Sequence, residues 1–279
     1  MPPYITHMKS IPAKNGLIVE GDGNKKIERW FNNDKLHRDN DQPAVVKYEN
    51  DKIYREEWYK NGEQHRDNDQ PAVKIYENGN LIKEIWFNNG NFYRENDKPT
   101  VVSYKNGKVI REEWFSSECG KIFRDNDKPS TIAYDENGKV LEEQWQDGQD
   151  FRRLNDKPSI VEYKDGKLVK EEWNMVIRED GKPFSVEYKD GKIIKENFLY
   201  RRTDDIPHTK IYRDNGIVIE GWIKDTYSGE YHRENDKPAW IAYKDGKVIK
   251  EQWYVYGKHH RDNGKPVLIA YNEDGIAVE

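Results

Sequence analysis

Apolar and polar residues alternate with a period of two in short runs such as PAVVKYE and YREEWY. Turn pairs such as Asn78-Gly79, Asn106-Gly107 and Asp165-Gly166 separate such runs. Alternation bounded by Asn-Gly or Asp-Gly predicts two antiparallel strands joined by a tight turn. In the first run Ala44, Val46 and Tyr48 share a side, and in the second Tyr54, Glu56 and Trp58 share one. Ile82, Ile110, Leu141, Val169, Ile194, Val218 and Ile249 stand where Tyr54 does in later runs. One face is therefore aliphatic and aromatic with a single Glu, and the other is mostly Lys, Arg, Glu and Gln. No helical period interrupts this pattern, so an all-β chain is expected.

The hairpins recur. Pro43, Pro71, Pro99, Pro129, Pro158, Pro183, Pro207, Pro238 and Pro266 mark successive units. Five residues before each stands an arginine: Arg38, Arg66, Arg94, Arg124, Arg153, Arg178, Arg202, Arg233 and Arg261. Five residues after each stands a tyrosine, from Tyr48 to Tyr271. A second ruler runs through Trp30, Trp58, Trp86, Trp114, Trp145, Trp173, Trp222 and Trp253, with Phe198 in one place. Two residues before each of these lies a glutamate: Glu28, Glu56, Glu84, Glu112, Glu143, Glu171, Glu196, Glu220 and Glu251. Internal repetition of this kind marks a repeat architecture. The nonapeptide HRDNDQPAV, written at 37–45 and again at 65–73, reads as the corner between hairpins. Asn and Asp form turns, and proline can open a strand without supplying a ladder donor.

The expected architecture is an elongated tandem array of antiparallel β-hairpins. Residues 1–29 would form an N-terminal capping hairpin turning at Asp22-Gly23, and 30–279 about nine repeats in one continuous domain. The last strand, DGIAVE, should lie open or pair with another chain, which allows self-association there.

Tandem hairpins with an E-x-W strand and an N-G turn resemble MORN repeats over roughly residues 15–279. The R-[DE]-N-D-x-P corner is similar to the longer MORN-like variant of large DNA viruses and some bacteria. The usual G-x-G signature and shorter period are missing here. The resemblance implies an elongated twisted sheet serving as a scaffold, with no catalytic residues and no cofactor. It also raises two other roles, a structural component of a virus particle and a peripheral lipid-binding module.

Composition narrows the function classes. The net charge is −5 with both signs interleaved, which does not suit a nucleic-acid binder needing a clustered basic face. Cys119 is the only cysteine, so an internal disulfide is impossible and a reducing, cytoplasmic setting is expected, in host cytoplasm or virion for a viral protein. No apolar run approaches the length of a membrane span. The paired acids of RDND lack the distal Glu and central Gly of an EF-type calcium loop. His37, His65, His232 and His260 sit one per repeat, too far apart to share a zinc ion. No nucleophile or phosphate-loop motif stands in the chain. The Glu and Arg ladders read as structural, each Glu pairing with an Arg or accepting backbone N–H groups.

The repeats differ on one side. Pro to Trp is 15 residues in most units, whereas Trp58 to Arg66 spans 8 and Trp222 to Arg233 spans 11. Variable connections on one edge of an array are a binding-side signature. A protein partner is therefore expected on the long connections, at Cys119, Tyr227 and Tyr231, and at the last strand around Val278.

Overall fold

The computed structural model describes residues 15–117, 120–148, 150, 151, 153, 155–173, 182–198, 206–224 and 229–278. These residues contain β-strands, one short 3-10 turn at Asp262–Gly264 and no α-helix. The chain is an all-β tandem array of antiparallel hairpins. It divides into two compact units, residues 1–140 with 145–149, and residues 141–144 with 150–279.

In the first unit Asn15–Asp22 pairs with Lys25–Asn32 over its full length, from Asn15↔Asn32 to Asp22↔Lys25. This hairpin spans 15–32 and turns at Gly23 and Asn24, one residue later than Asp22-Gly23, and its second strand runs past residue 29 to carry Trp30. Lys25–Asn32 then pairs with Val45–Glu49, which pairs with Lys52–Glu57, and the pairing continues through Val73–Glu77, Asn80–Ile85, Val101–Lys105, Lys108–Glu113 and Thr131–Tyr134. In the second unit the same succession runs from Ile160–Lys164 and Lys167–Glu172 to Leu268–Tyr271. Ala277–Val278 adds to Leu268–Tyr271 at Ala270↔Val278 and Tyr271↔Ala277.

Strict alternation breaks at one position in six of the hairpins. Tyr48 opposes Ile53, but Lys47 opposes Arg55, so Tyr54 is an extra residue in a β-bulge. Ile82, Ile110, Val169, Ile194 and Ile249 occupy the same place. Val218 does not: it pairs directly with Tyr212 behind a longer loop. The turns of bulged hairpins hold two residues of positive φ, such as Asn50 (51°) with Asp51 (61°) and Asn78 (51°) with Gly79 (82°). That geometry matches the twist of the flanking strands and selects Asn, Asp and Gly.

The core is a row of indoles against small residues. Trp58, Trp86, Trp114, Trp145, Trp222 and Trp253 are buried, as is Phe198 in their series. Each such ring removes about 150–250 Å² from water, roughly 4–6 kcal/mol of transfer free energy before entropic costs. Ala44, Ala72 and Ala239, each following a repeat proline, are fully buried, and Thr100, Ser130 and Ser159 take the same place. Their carbonyls tie each hairpin to the one before it: Trp58 backbone N–H donates to Ala72 O at 2.8 Å and Trp86 backbone N–H to Thr100 O at 2.9 Å, and Phe184, His208 and Val267 accept in the same way in the second unit. Where the residue is polar, its side chain finds work. Thr100 Oγ1 accepts from Phe115 N–H at 3.3 Å, and Ser130 Oγ from Gln146 N–H at 3.0 Å.

Candidate functional site

Two polar modules recur along the chain. The first joins the tyrosine and glutamate ladders. Tyr48 Oη donates to Glu28 at 3.0 Å, Tyr76 to Glu56 at 2.7 Å, Tyr104 to Glu84 at 2.7 Å and Tyr134 to Glu112 at 2.6 Å. In the second unit Tyr163 meets Glu143, Tyr188 meets Glu171, Tyr212 meets Glu196, Tyr243 meets Glu220 and Tyr271 meets Glu251. Each tyrosine reaches the glutamate of the preceding hairpin. The expectation of arginine or backbone partners for these glutamates is therefore corrected: the partner is a phenol. The reason is register. Val46 stands opposite both Glu28 and Glu56, so the tyrosine two residues on lies diagonally within reach of Glu28 on the same face. Burial, then the neighbouring carboxylate, raises the Tyr163 and Tyr243 hydroxyls to about 12.

The second module explains the corner. In RDND the Asn and second Asp are both left-handed: Asn40 has φ 59° and Asp41 53°, with Asn96 and Asp97 at 61° and 53°. Gly264, at the second place in its unit, has φ 66°. Short polar residues and glycine are the ones that tolerate this conformation. The turn aims Asp41 at the next unit in two ways. Its carbonyl accepts the Trp58 indole N–H at 3.0 Å, and its carboxylate takes a two-pronged bond from Arg66, 2.7 Å and 2.8 Å. The Arg66 guanidinium lies 4.0 Å from the Trp58 ring centroid, which closes the triangle. Asp69 with Trp86 and Arg94, Asp97 with Trp114 and Arg124, and Asp236 with Trp253 and Arg261 repeat it. Arginine also binds its own corner, as Arg124 Nη1 to Pro129 O at 3.4 Å shows. The fork from Arg94, joined by Lys98, holds Asp69 down at about 2, and Arg124 with Lys128 does the same for Asp97. Planar guanidinium–carboxylate pairing over an indole is geometry that lysine cannot reproduce.

Histidine has a third role, which sequence reasoning weighed only as metal chemistry. His37 Nε2 meets Asp39 at 3.0 Å, and its Nδ1 accepts the Asn61 backbone N–H at 3.3 Å. His65 does the same with Asp67 and Asn89. An Nδ1 that accepts a backbone N–H leaves Nε2 as the nitrogen that faces the aspartate. The signal was the spacing between His37 and the next N-G turn. Among the described residues no group of three or more His, Cys, Asp or Glu side chains could hold a metal ion.

Some of the connections are small hairpins of their own. Tyr59–Lys60 pairs with Glu63–Gln64, and Tyr254–Val255 with Lys258–His259. Gly62 N–H donates to Leu36 O and Gly90 N–H to Gln64 O, both at 2.9 Å, so each rests on its predecessor. Apolar side chains line them: Phe92 packs 5.2 Å from Phe87 and 4.5 Å from Phe115. Glu57 is buried beneath Tyr59. Burial would raise its carboxyl, but donors Lys47, Arg55 and Tyr59 outweigh that and lower it. Tyr231 sits in this series, 5.4 Å from Tyr254, over Gly221. A β-carbon at Gly221 would stand 2.8 Å from Tyr231 Cε1. Grooves of ≈ 320 Å³, beside Tyr93, Trp114 and Arg124, and ≈ 210 Å³, beside His65, Trp86 and Arg94, lie between successive corners.

Of the expected contact residues, Tyr231 is half-buried and Val278 is 45% exposed on the Ala277–Val278 strand. Cys119 and Tyr227, with Arg178, Arg202 and Glu279, lie outside the described residues. No described helix is long and apolar enough to cross a membrane. No protein-family model matches the chain, and no curated protein matches it.

Proposed function

We propose that this chain is a non-enzymatic, MORN-like repeat scaffold that works through protein–protein contacts in the cytoplasm. The observation that carries the reading is the internal use of the repeat-defining polar groups. The nine Tyr–Glu pairs and the Asp–Trp–Arg triangles spend their donors and acceptors on neighbouring hairpins. Groups consumed in this way hold a framework together and are poorly placed to bind or turn over a substrate. What varies from repeat to repeat is the connecting hairpin, with its half-buried aromatic side chains, and variable connections on a constant frame are where repeat proteins meet partners.

Cross-linking mass spectrometry on the full chain with proteins from its source cells tests the reading. Cross-links from a retained protein should fall on Lys60, Lys121, Lys224 and Lys258 in the connecting hairpins. Retention of nothing beyond an immobilised protein of matched charge overturns it.

A further inference from the structure

The face opposite the Tyr–Glu pairs carries ion pairs in four repeats. Arg55 and Lys47 meet Glu57 at 2.7 Å, Arg111 meets Glu113 at 3.2 Å, Lys170 meets Glu172 at 2.6 Å, and Lys195 meets Glu187 at 3.1 Å. In the second unit, between Thr209–Tyr212 and Leu268–Tyr271, that face changes character. The cation Lys250 is kept, but the places of its acidic partners hold Gln252 and Ala242. Gly221 and Ile219 stand at the corresponding places on the preceding strand. Trp240, in a position that holds Val, Ile, Thr or Ser in most other repeats, lies beside them. Together Ile217, Ile219, Trp240, Ala242 and Ile249 floor an open groove of ≈ 540 Å³, with Lys250, Arg213, Asn215 and one carboxylate, Asp214, at its margin. Neither cation has an ion-pair or hydrogen-bond partner for its side chain among the described residues.

An apolar floor whose margin holds two cations against the single carboxylate of Asp214 is net positive, and that combination is complementary to one chemistry. The occupant brings carboxylates to Lys250 and Arg213 and an apolar side chain to Trp240. We propose that this groove binds an acidic, apolar-rich peptide segment of a protein partner. The proposal deepens the scaffold reading and rests on it. The carboxylates would restore the pairing that the other repeats supply internally, and the apolar side chain would cover an aromatic surface that the fold leaves half-buried.

Selection of a random dodecapeptide phage library on the full chain tests this. Enriched peptides should combine Asp or Glu with aliphatic or aromatic residues. Synthetic copies should bind about tenfold more weakly to Lys250→Glu and Arg213→Glu, and more weakly as salt rises, since the contact is electrostatic at its rim. Circular dichroism and melting midpoints should show both variants folded like the parent; if one is not, Lys250→Gln and Arg213→Gln replace it. Peptides without acidic bias, or equal binding to the charge-reversed variants, overturn the proposal. So does concentration-dependent self-association in sedimentation that Lys250→Glu abolishes, because the occupant is then a second copy. No peptide enriched on the parent chain, with cross-links still on the connecting hairpins, rejects the groove and leaves the scaffold reading standing.

Discussion

Tyr104→Phe removes one hydroxyl and nothing else. In the fold that hydroxyl donates to Glu84 at 2.7 Å, and the Glu84 side chain is 15% exposed. A hydrogen bond to a charged group contributes about 1.5–3 kcal/mol net, and a carboxylate left short of a donor away from water accounts for much of that. Lys74 stands 3.6 Å from the other Glu84 oxygen and offsets part of the loss, which places the expected cost at about 1.5–2 kcal/mol. Glu84→Gln keeps an acceptor for Tyr104 but loses the charge, and should cost about 1 kcal/mol. The double variant should be less destabilised than the sum, with a coupling of about 1 kcal/mol, because Glu84→Gln already removes the charge that strengthens the bond Tyr104→Phe deletes. Urea titration gives the midpoints, at unchanged slope if only stability has moved. Exposed Lys52→Gln is the control and should stay within about 0.5 kcal/mol. Equal effects of Tyr104→Phe and Lys52→Gln, or strict additivity in the cycle, would refute a ladder held by phenol–carboxylate bonds.

The acid limit follows from the corners. Asp69 and Asp97 are held at about 2, below the ordinary 3.8, so their contribution is full above about pH 4 and is lost as pH falls toward 2. Each is about 40% exposed, so screening limits the loss to about 1 kcal/mol apiece, and Asp97→Asn should flatten this acid limb in pH-dependent melting. The alkaline limit has the opposite sign. Tyr163 and Tyr243 are raised to about 12, so their pairing is intact below pH 10 and lost as pH rises toward 12. Phenolate absorbance should lag behind that of the urea-unfolded chain and appear together with unfolding; titration of every tyrosine near 10 would contradict the pairing. Gly221→Ala should cost about 1–3 kcal/mol in urea titration, since its β-carbon would meet Tyr231 at 2.8 Å and Thr209 at 2.9 Å.

Hairpins, turns and the aromatic face were legible in the amino-acid order because each rests on neighbours a few residues apart. Period-two alternation marks a strand, and Asn78-Gly79 marks a turn with positive φ, whatever lies around them. The bulge at Tyr54 escaped, since an extra residue leaves the letters alternating and shows only when the register across to Lys47 and Tyr48 is known. Burial of the row that follows each proline was visible only at Ala44, which alternation placed on the apolar side; Thr100 and Ser130 are polar letters whose hydroxyls find Phe115 and Gln146 only across paired strands.

The ladders show where the division falls. Repetition alone picked out Tyr, Glu, Trp, Arg and the corner Asp as a set, because residues that return at one phase of a repeat occupy one environment. Which of them touch is a matter of pairing between hairpins. Opposite charge suggested Glu with Arg, but the register delivers Tyr76 to Glu56 and leaves Arg66 to Asp41 and Trp58. Arg66 and Asp41 lie 25 residues apart, and no local rule joins them. The apolar groove beside Trp240 was hidden for the same reason, since its floor comes from three strands whose side chains share a face only after they pair. Composition and phase determined which residues form the frame; strand register, a long-range property, decided their partners.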